Sequence, residues 1–223
     1  MISPKHRVIF IHIPKCAGQA VENLFLHDLN LSWDERDTLC LRRKRPEEQG
    51  PERLAHLFAW EYVEHGYISA IDYATFFKCA IIRDPADRFL SELNFRQVAL
   101  CSHREWAPSS GIAERYIKTV QQSHKPESDY VRHIEPQTNF LFDKAGKKLL
   151  VDCIIPFENI TSEMPLILSP YLRRRPVLRV INKSKKIWFR GHLSKNDLEF
   201  LRDFYAEDYK LINTLSESNF DQV

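Results

Sequence analysis

Residues 8 to 25 read VIFIHIPKCAGQAVENLF. Val8 to Ile13 is an apolar, largely β-branched run, the composition of a central strand buried on both faces. Pro14 denies the next ladder hydrogen bond and Gly18 relaxes the backbone, after which Ala20, Val21, Leu24 and Phe25 recur at helical spacing. The chain therefore turns from strand into helix across Pro14 to Gln19. Such a turn aims free backbone N–H groups and the positive end of the helix dipole at the loop, which makes the loop a site for an anion. Lys15 adds a full positive charge there. As a point charge it suits phosphate or sulfate better than a carboxylate, which arginine would clasp in a planar fork. The pattern departs from the G-x-x-x-x-G-K-[ST] loop of nucleotide triphosphatases, because Cys16 stands where a hydroxyl residue would hold magnesium.

Outward from this stretch, Phe76 to Ile82 (FFKCAII) is a second buried strand, and it runs directly into Arg83-Asp84-Pro85. Asp84 can cap a helix, Pro85 fits its first position and Asp87 its first turn, with Phe89, Leu90 and Leu93 on the buried face. Arg83 is left at the carboxyl end of the strand and Ser91 two turns along the helix. Both can converge with the Lys15 loop where ligands bind in open α/β sheets. Leu149 to Pro156 is a third apolar strand, and Val177 to Ile181 is expected to be the last. Between these, Glu52 to His65 has apolar residues at Leu54, Leu57, Phe58 and Tyr62 and predicts one amphipathic helix stopped by Gly66, with His56 off its stripe and partly exposed. Ile112 to Gln122 predicts a further helix, and Ser194 caps a long one carrying Leu198, Leu201, Phe204, Tyr205, Leu211, Ile212 and Leu215 on one side.

The 223 residues are enough for one substantial core and are read as a single domain over 1–223. A formal charge of +2 advertises neither nucleic acid nor an anionic membrane. The basic run Arg42-Arg43-Lys44-Arg45 reads as a solvated surface, or else as a docking surface for an acidic acceptor. No stretch near residues 1 to 14 is apolar for long enough to be a signal or a membrane span, so a cytoplasmic protein is expected. Cys16, Cys40, Cys79, Cys101 and Cys153 are odd in number and show no C-x-x-C pair, which argues against both a disulfide framework and a zinc site. The sequons at Asn159 and Asn182 carry no physical meaning without a secretory route.

HIPKCAGQ (residues 12–19) resembles the 5′-phosphosulfate loop of sulfotransferases that use 3′-phosphoadenosine 5′-phosphosulfate (PAPS), most closely the carbohydrate sulfotransferases of heparan sulfate 2-O and bacterial type. IIRDPADRFLSEL resembles that family's 3′-phosphate motif, R-D-P-x-x-R-x-x-S, with its arginine on Arg83 and its serine on Ser91. HIEPQTNFLF, VDCIIPFENI and the carboxyl-terminal HLSKNDLEFLRDFYAEDYKLI are also similar to family segments, so the likeness spans Val8 to Leu215. The resemblance implies a P-loop-like, three-layer α/β domain with a central, mainly parallel sheet flanked by helices. It implies transfer of the sulfuryl group of PAPS, without a metal, to a hydroxyl or amine of an acceptor, a carbohydrate or similar compound.

On this likeness, Lys15, Cys16, Ala17, Gly18, Gln19 and Ala20 cradle the 5′-phosphosulfate, Arg83 and Ser91 take the 3′-phosphate, and Lys185, with less support Lys183, touches a phosphate from an N-K-S-K loop. Lys15 would stabilise the charge that builds on the bridging oxygen. His56 lies where 2-O-type enzymes carry the histidine that takes the acceptor's proton, and His133 is a second histidine able to approach the acceptor. The loop departs from the family pattern in Cys16, Gln19 and Ala20, where side-chain hydroxyl donors are usual, and cysteine donates only weakly. That departure leaves open a nucleotide-binding module of the same fold without turnover, and more remotely a P-loop kinase.

Overall fold

The computed structural model describes residues 1–100, 110–178 and 193–218. Its centre is a four-stranded sheet in the order β1 (Ile2–Ser3), β2 (Val8–Ile11), β3 (Phe77–Ile82), β4 (Cys153–Pro156). β2 and β3 are parallel, as are β3 and β4, while the short β1 pairs antiparallel to β2, so the sheet is mixed. All four residues of β2 and all but the first of β3 are buried, as apolar runs without alternation require when both faces are covered. The third strand begins later than expected, at Cys153, because Leu149 is taken up in an isolated bridge to Phe142 that closes the polar turn between them.

Helix α1 (Gly18–Asp28) follows β2, and α4 (Pro85–Leu100) follows β3. Asp84 accepts from the Asp87 amide at 2.9 Å, the expected cap. Between them lie α2 (Glu61–Glu64) and α3 (Ala70–Thr75); α5 (Ile112–Ser123), α6 (Asp129–Ile134) and α7 (Gln137–Leu141) come next, and α8 (Ile160–Leu168) follows β4. One apolar cluster surrounds the sheet, with Ile9, Phe10, Val21, Phe25, Cys79, Ile81, Phe140 and Ile155 at its heart. A second gathers Phe89 and Leu93 of α4, Tyr116 and Ile117 of α5, and Leu201 and Tyr205 near the carboxyl end.

Two helices differ from expectation, each for a visible reason. Residues 52–65 do not form one helix. The Leu54 amide bonds Arg42 O and the Lys44 amide bonds Glu52 O, which holds 52–54 extended as a ribbon. A single 3-10 turn, Leu54–His56, follows; Leu57 is extended again (ψ 139°) before α2. The broken helix turns His56 inward, where it is 6% exposed rather than partly exposed. The carboxyl-terminal segment divides into α9 (Lys195–Phe204) and α10 (Ala206–Ser218), with Tyr205 between them at φ −106°, ψ 30°. A capping box of Ser194 and Asp197 opens α9. The Tyr205 hydroxyl is held by Ile134 O at 2.8 Å, and the break lets α10 bring Asp208 onto α7.

Residues 38–41 lie at the end of a 3-10 helix, Trp33–Leu39, which Cys40 closes with a left-handed backbone at φ 62°. Within the basic run, Arg42 grips Glu48 through both terminal nitrogens at 2.5 and 2.6 Å, so its charge is engaged inside the protein. Cys16, Cys40, Cys79 and Cys153 are free thiols; Cys101 lies outside the described residues. The same holds for Lys183 and Lys185 and for the strand expected at 177–181 beyond residue 178. No helix among the described residues is long and apolar enough to cross a membrane.

Candidate functional site

The loop between β2 and α1 is sharply folded. Lys15 and Ala17 both have left-handed backbones, at φ 69° and 60°, a conformation that costs an L-residue of order 1–3 kcal/mol and gathers at ligand sites. No side chain caps α1 and no acidic residue occupies its first turn, so the helix dipole acts undiminished on the loop. Gly18 has an ordinary backbone, and its need for glycine is spatial rather than torsional. A Cβ there would stand 2.1 Å from the His12 ring. The imidazole thus lies flat against the start of α1, and its Nδ1 donates to the Glu22 carboxylate at 2.5 Å.

Burial acts to raise the Glu22 carboxyl, and the charge and hydrogen bond of His12 outweigh it, leaving its pKa below the ordinary value. A carboxyl whose pKa is lower in the folded than in the unfolded chain stabilises fully above its unfolded pKa, about 4.3, and loses that contribution as pH falls through the folded value. The melting temperature is therefore expected to drop on acidification below about pH 4.3, and Glu22→Gln should flatten that limb. Melting curves between neutral and acid pH check this; an acid limb of unchanged steepness in the variant would show that the His12 contact adds no stability.

At the carboxyl end of β3, Arg83 is drawn to the same loop, its Nη1 3.4 Å from Lys15 O and its guanidinium over the Phe157 ring at 4.4 Å. The Arg83 Nε is buried without a hydrogen-bond partner, a donor in want of an acceptor. Gln137 ties the pieces together. Its side-chain oxygen accepts from the Arg83 amide (2.9 Å) and from the Cys16 thiol (3.4 Å), while its Nε2 donates to Arg83 O (2.8 Å). Asp208 in turn accepts from the amides of Gln137 and Thr138 and from the Thr138 hydroxyl. The Cys16 thiol, pushed up to about 12 by burial, is neutral and directed at Pro14 O and Gln137 rather than into the loop.

Of the other loop residues, Ala17 is half-buried, Gln19 exposed and Ala20 buried. Ser91 is half-buried on α4, and no contact among the described residues ties it to Arg83 or to the loop. The second arginine of that motif, Arg88, is structural: it is 1% exposed, bonded to Glu135 O and packed over the Tyr205 ring.

Two histidines that the sequence left as alternatives lie side by side. The His56 ring meets that of His133 edge-on at 5.2 Å and that of His12 at 4.8 Å. His56 Nδ1 donates to His12 O (3.2 Å), which fixes Nε2 as the lone-pair nitrogen of the neutral ring. Burial first, then the neighbouring His12 and His133, lowers its pKa well below the usual value, so it is neutral at physiological pH. His133 Nδ1 donates to Glu92 Oε2 (2.6 Å), and Glu92 also receives Arg96 Nε (2.5 Å) and the Tyr116 hydroxyl (3.0 Å). Burial raises the Glu92 carboxyl, but His133 and Arg96 together hold it far below the usual range.

His133 stacks on Phe95 at 5.7 Å, and the Lys15 ammonium sits 4.1 Å from the centre of the same Phe95 ring. Burial lowers the pKa of Lys15, opposed by the charge of Glu92. A continuous path of contacts therefore leaves the loop at Gly18, passes through His12, His56, His133 and Phe95, and returns to it at Lys15. The sequence assigns no role to His12, Glu22, Glu92, Phe95, Asp129, Gln137 or Asp208, although His12, Glu92, Gln137 and Asp208 stand inside the family-like segments HIPKCAGQ, IIRDPADRFLSEL, HIEPQTNFLF and HLSKNDLEFLRDFYAEDYKLI. Asp129 and His133 carry a further signal, an acid and a histidine at i, i+4 on one helix.

A sharply folded loop at the carboxyl ends of parallel strands, at the start of α1 and beside a cluster of buried histidines, is an arrangement suited to an anion. The model of the sulfotransferase family matches residues 1–213, and the chain belongs to that family, whose chemistry is sulfuryl transfer. Its mixed four-stranded sheet between helices is consistent with the sulfotransferase fold. No curated protein and no solved structure matches significantly.

Proposed function

We propose that this protein moves the sulfuryl group of PAPS to a hydroxyl, or an amine, of an acceptor, with a carbohydrate or similar polyhydroxyl compound as the acceptor class. The observation that supports this is the path of contacts that leaves the loop at Gly18, runs through His12, His56, His133 and Phe95, and returns to it at Lys15. The amides of residues 15–20 hold the 5′-phosphate, with no call on a metal there. Arg83, whose buried Nε lacks a partner, receives the 3′-phosphate, with Ser91 further along α4 and Lys185 as additional phosphate contacts.

The acceptor oxygen attacks sulfur in line with the bond to the bridging oxygen. As the new O–S bond forms, that bond breaks, its electron pair stays on the phosphate of 3′,5′-ADP, and the acceptor proton passes to His56 Nε2. Lys15 stabilises the charge on the departing oxygen. His133 is the second candidate for the proton, its Nδ1 held by Glu92 so that its Nε2 is free to accept. Family membership favours sulfuryl over phosphoryl transfer. The alternative of a nucleotide-binding module without turnover draws support from Cys16, whose thiol is spent on Gln137 and supplies no donor to a phosphosulfate.

The nucleotide site is tested by melting the protein with 3′,5′-ADP, 5′-AMP and Mg-ATP. At a hundredfold excess over Kd, selective binding adds about 2.7 kcal/mol, which raises the melting temperature of a chain this size by roughly 5–10 °C. That rise is expected for 3′,5′-ADP alone, and Arg83→Ala should abolish most of it. An equal response to 5′-AMP, or no response to any nucleotide, would remove the basis for PAPS as donor.

A further inference from the structure

We infer that His56, Asp129 and His133 form a binding site for a divalent transition-metal ion of the zinc class. The inference goes beyond sulfuryl transfer and does not depend on the identity of the nucleotide. Both Nδ1 atoms are committed as donors, His56 to the carbonyl of His12 and His133 to the Glu92 carboxylate. On a neutral ring so committed, Nε2 carries the lone pair. Each faces an oxygen of one carboxylate: His56 Nε2 stands 3.7 Å from Asp129 Oδ1, and His133 Nε2 stands 3.7 Å from Asp129 Oδ2.

These are acceptors turned toward acceptors at a distance too long for a hydrogen bond. Asp129 is 8% exposed, and its Oδ1 is buried with no hydrogen-bond partner. Leaving a buried acceptor unmet is costly, more so when it is charged. One donor atom from each of the three residues lies within 4.8 Å of the others. A cation placed among them satisfies all three acceptors at once, whereas a single proton on one ring satisfies one pair.

The donor set favours a zinc-class ion over magnesium or calcium, which prefer oxygen alone. Three protein ligands with a fourth position open is the arrangement of catalytic rather than structural zinc. The surroundings also fit: metal-binding histidines ordinarily donate their second N–H to a carboxylate or carbonyl, as both do here. Bonds of about 2.0–2.2 Å bring tetrahedral donors to roughly 3.3–3.5 Å apart, so the site closes on an ion by small rotations of the side chains. Arg53 is the competing cation, its Nε 3.4 Å from Asp129 Oδ2, but its side chain is half exposed and free to swing outward. An ion on His56 Nε2 occupies the lone pair that would otherwise take the acceptor proton, so metal and proton are alternative occupants of one atom.

Chelator-stripped protein titrated with Co2+ should take up one equivalent, show the visible ligand-field bands of a four- or five-coordinate ion, and lose them on addition of one equivalent of Zn2+. Zn2+ should also raise the melting temperature. Asp129→Asn, which keeps the shape of the side chain, should weaken Zn2+ binding about a hundredfold or more, and His133→Ala should remove the bands. The wild-type spectrum decides even if a variant fails to fold: the absence of stoichiometric bands overturns the site. So do bands and affinity that persist in Asp129→Asn. The readout is ion binding in the absence of nucleotide, so its failure is distinct from failure of the 3′,5′-ADP melting test.

Discussion

Lys15→Ala is expected to lower turnover of PAPS about a hundred- to a thousandfold, the loss that follows removal of one preorganised donor from a developing oxyanion, while 3′,5′-ADP still binds. The separation of the two effects follows from where charge changes. On the proposed reading the 5′-phosphate is anionic before and after transfer and is met by the amides and dipole of α1, whose cap geometry holds no side chain that the substitution would remove. Charge on the bridging oxygen grows only as the sulfuryl group departs, and that growth is what the ammonium answers. Lys15 is half-buried and braced over Phe95, so it has little freedom to reorganise at the moment of reaction. The comparison to make is kcat with a panel of polyhydroxyl acceptors beside melting with 3′,5′-ADP. Binding of 3′,5′-ADP by a wild type that shows no turnover with any acceptor, weakened in Lys15→Ala, would instead identify a binding module.

His56→Ala should reduce kcat by about a hundred- to ten-thousandfold, the usual contribution of a positioned general base. His133→Ala should act less strongly and through His56, because the two rings touch and His133 carries the buried charge of Glu92 against them. Turnover measured in chelator-treated buffer keeps any bound metal from obscuring the result. Should His133→Ala cost more than His56→Ala, with both variants melting as the wild type does, the proton goes to His133 and the assignments exchange.

What could be read beforehand was whatever lay within one local segment. Val8 to Ile11 and Phe77 to Ile82 announced themselves as doubly covered strands through uninterrupted apolar runs, and Asp84-Pro85 announced the start of α4. Contacts decided by distant partners were invisible. The 3.6-residue spacing at 54–62 was genuine, yet the ribbon with Arg42–Lys44 claims the backbone first and swings His56 inward. The apparent long helix after Ser194 likewise yields at Tyr205, where two buried anchors outweigh one continuous hydrogen-bond ladder. The sequence points to Gly18 as a point of backbone freedom, whereas its backbone is ordinary and the His12 ring sets the requirement for glycine. Glu22, Glu92 and Asp129 resemble surface acids in the sequence. Only folding shows that each faces a histidine, because their partners lie 10, 41 and 4 residues away and, for Asp129, also on another segment at His56.

The bonds through Gln137 and Asp208 also bear on when the loop acquires its form. Cys16 and Gln137 are 121 residues apart, and Gln137 and Asp208 a further 71. Contacts that close such long stretches of chain are entropically expensive and arise late in folding, after neighbouring elements have met. The four strands among the described residues all precede α10 in the chain, whereas the geometry around Lys15 and Arg83 is tied to α10 through Gln137 and Asp208. α10 thus fastens the loop indirectly, through Asp208 and Gln137.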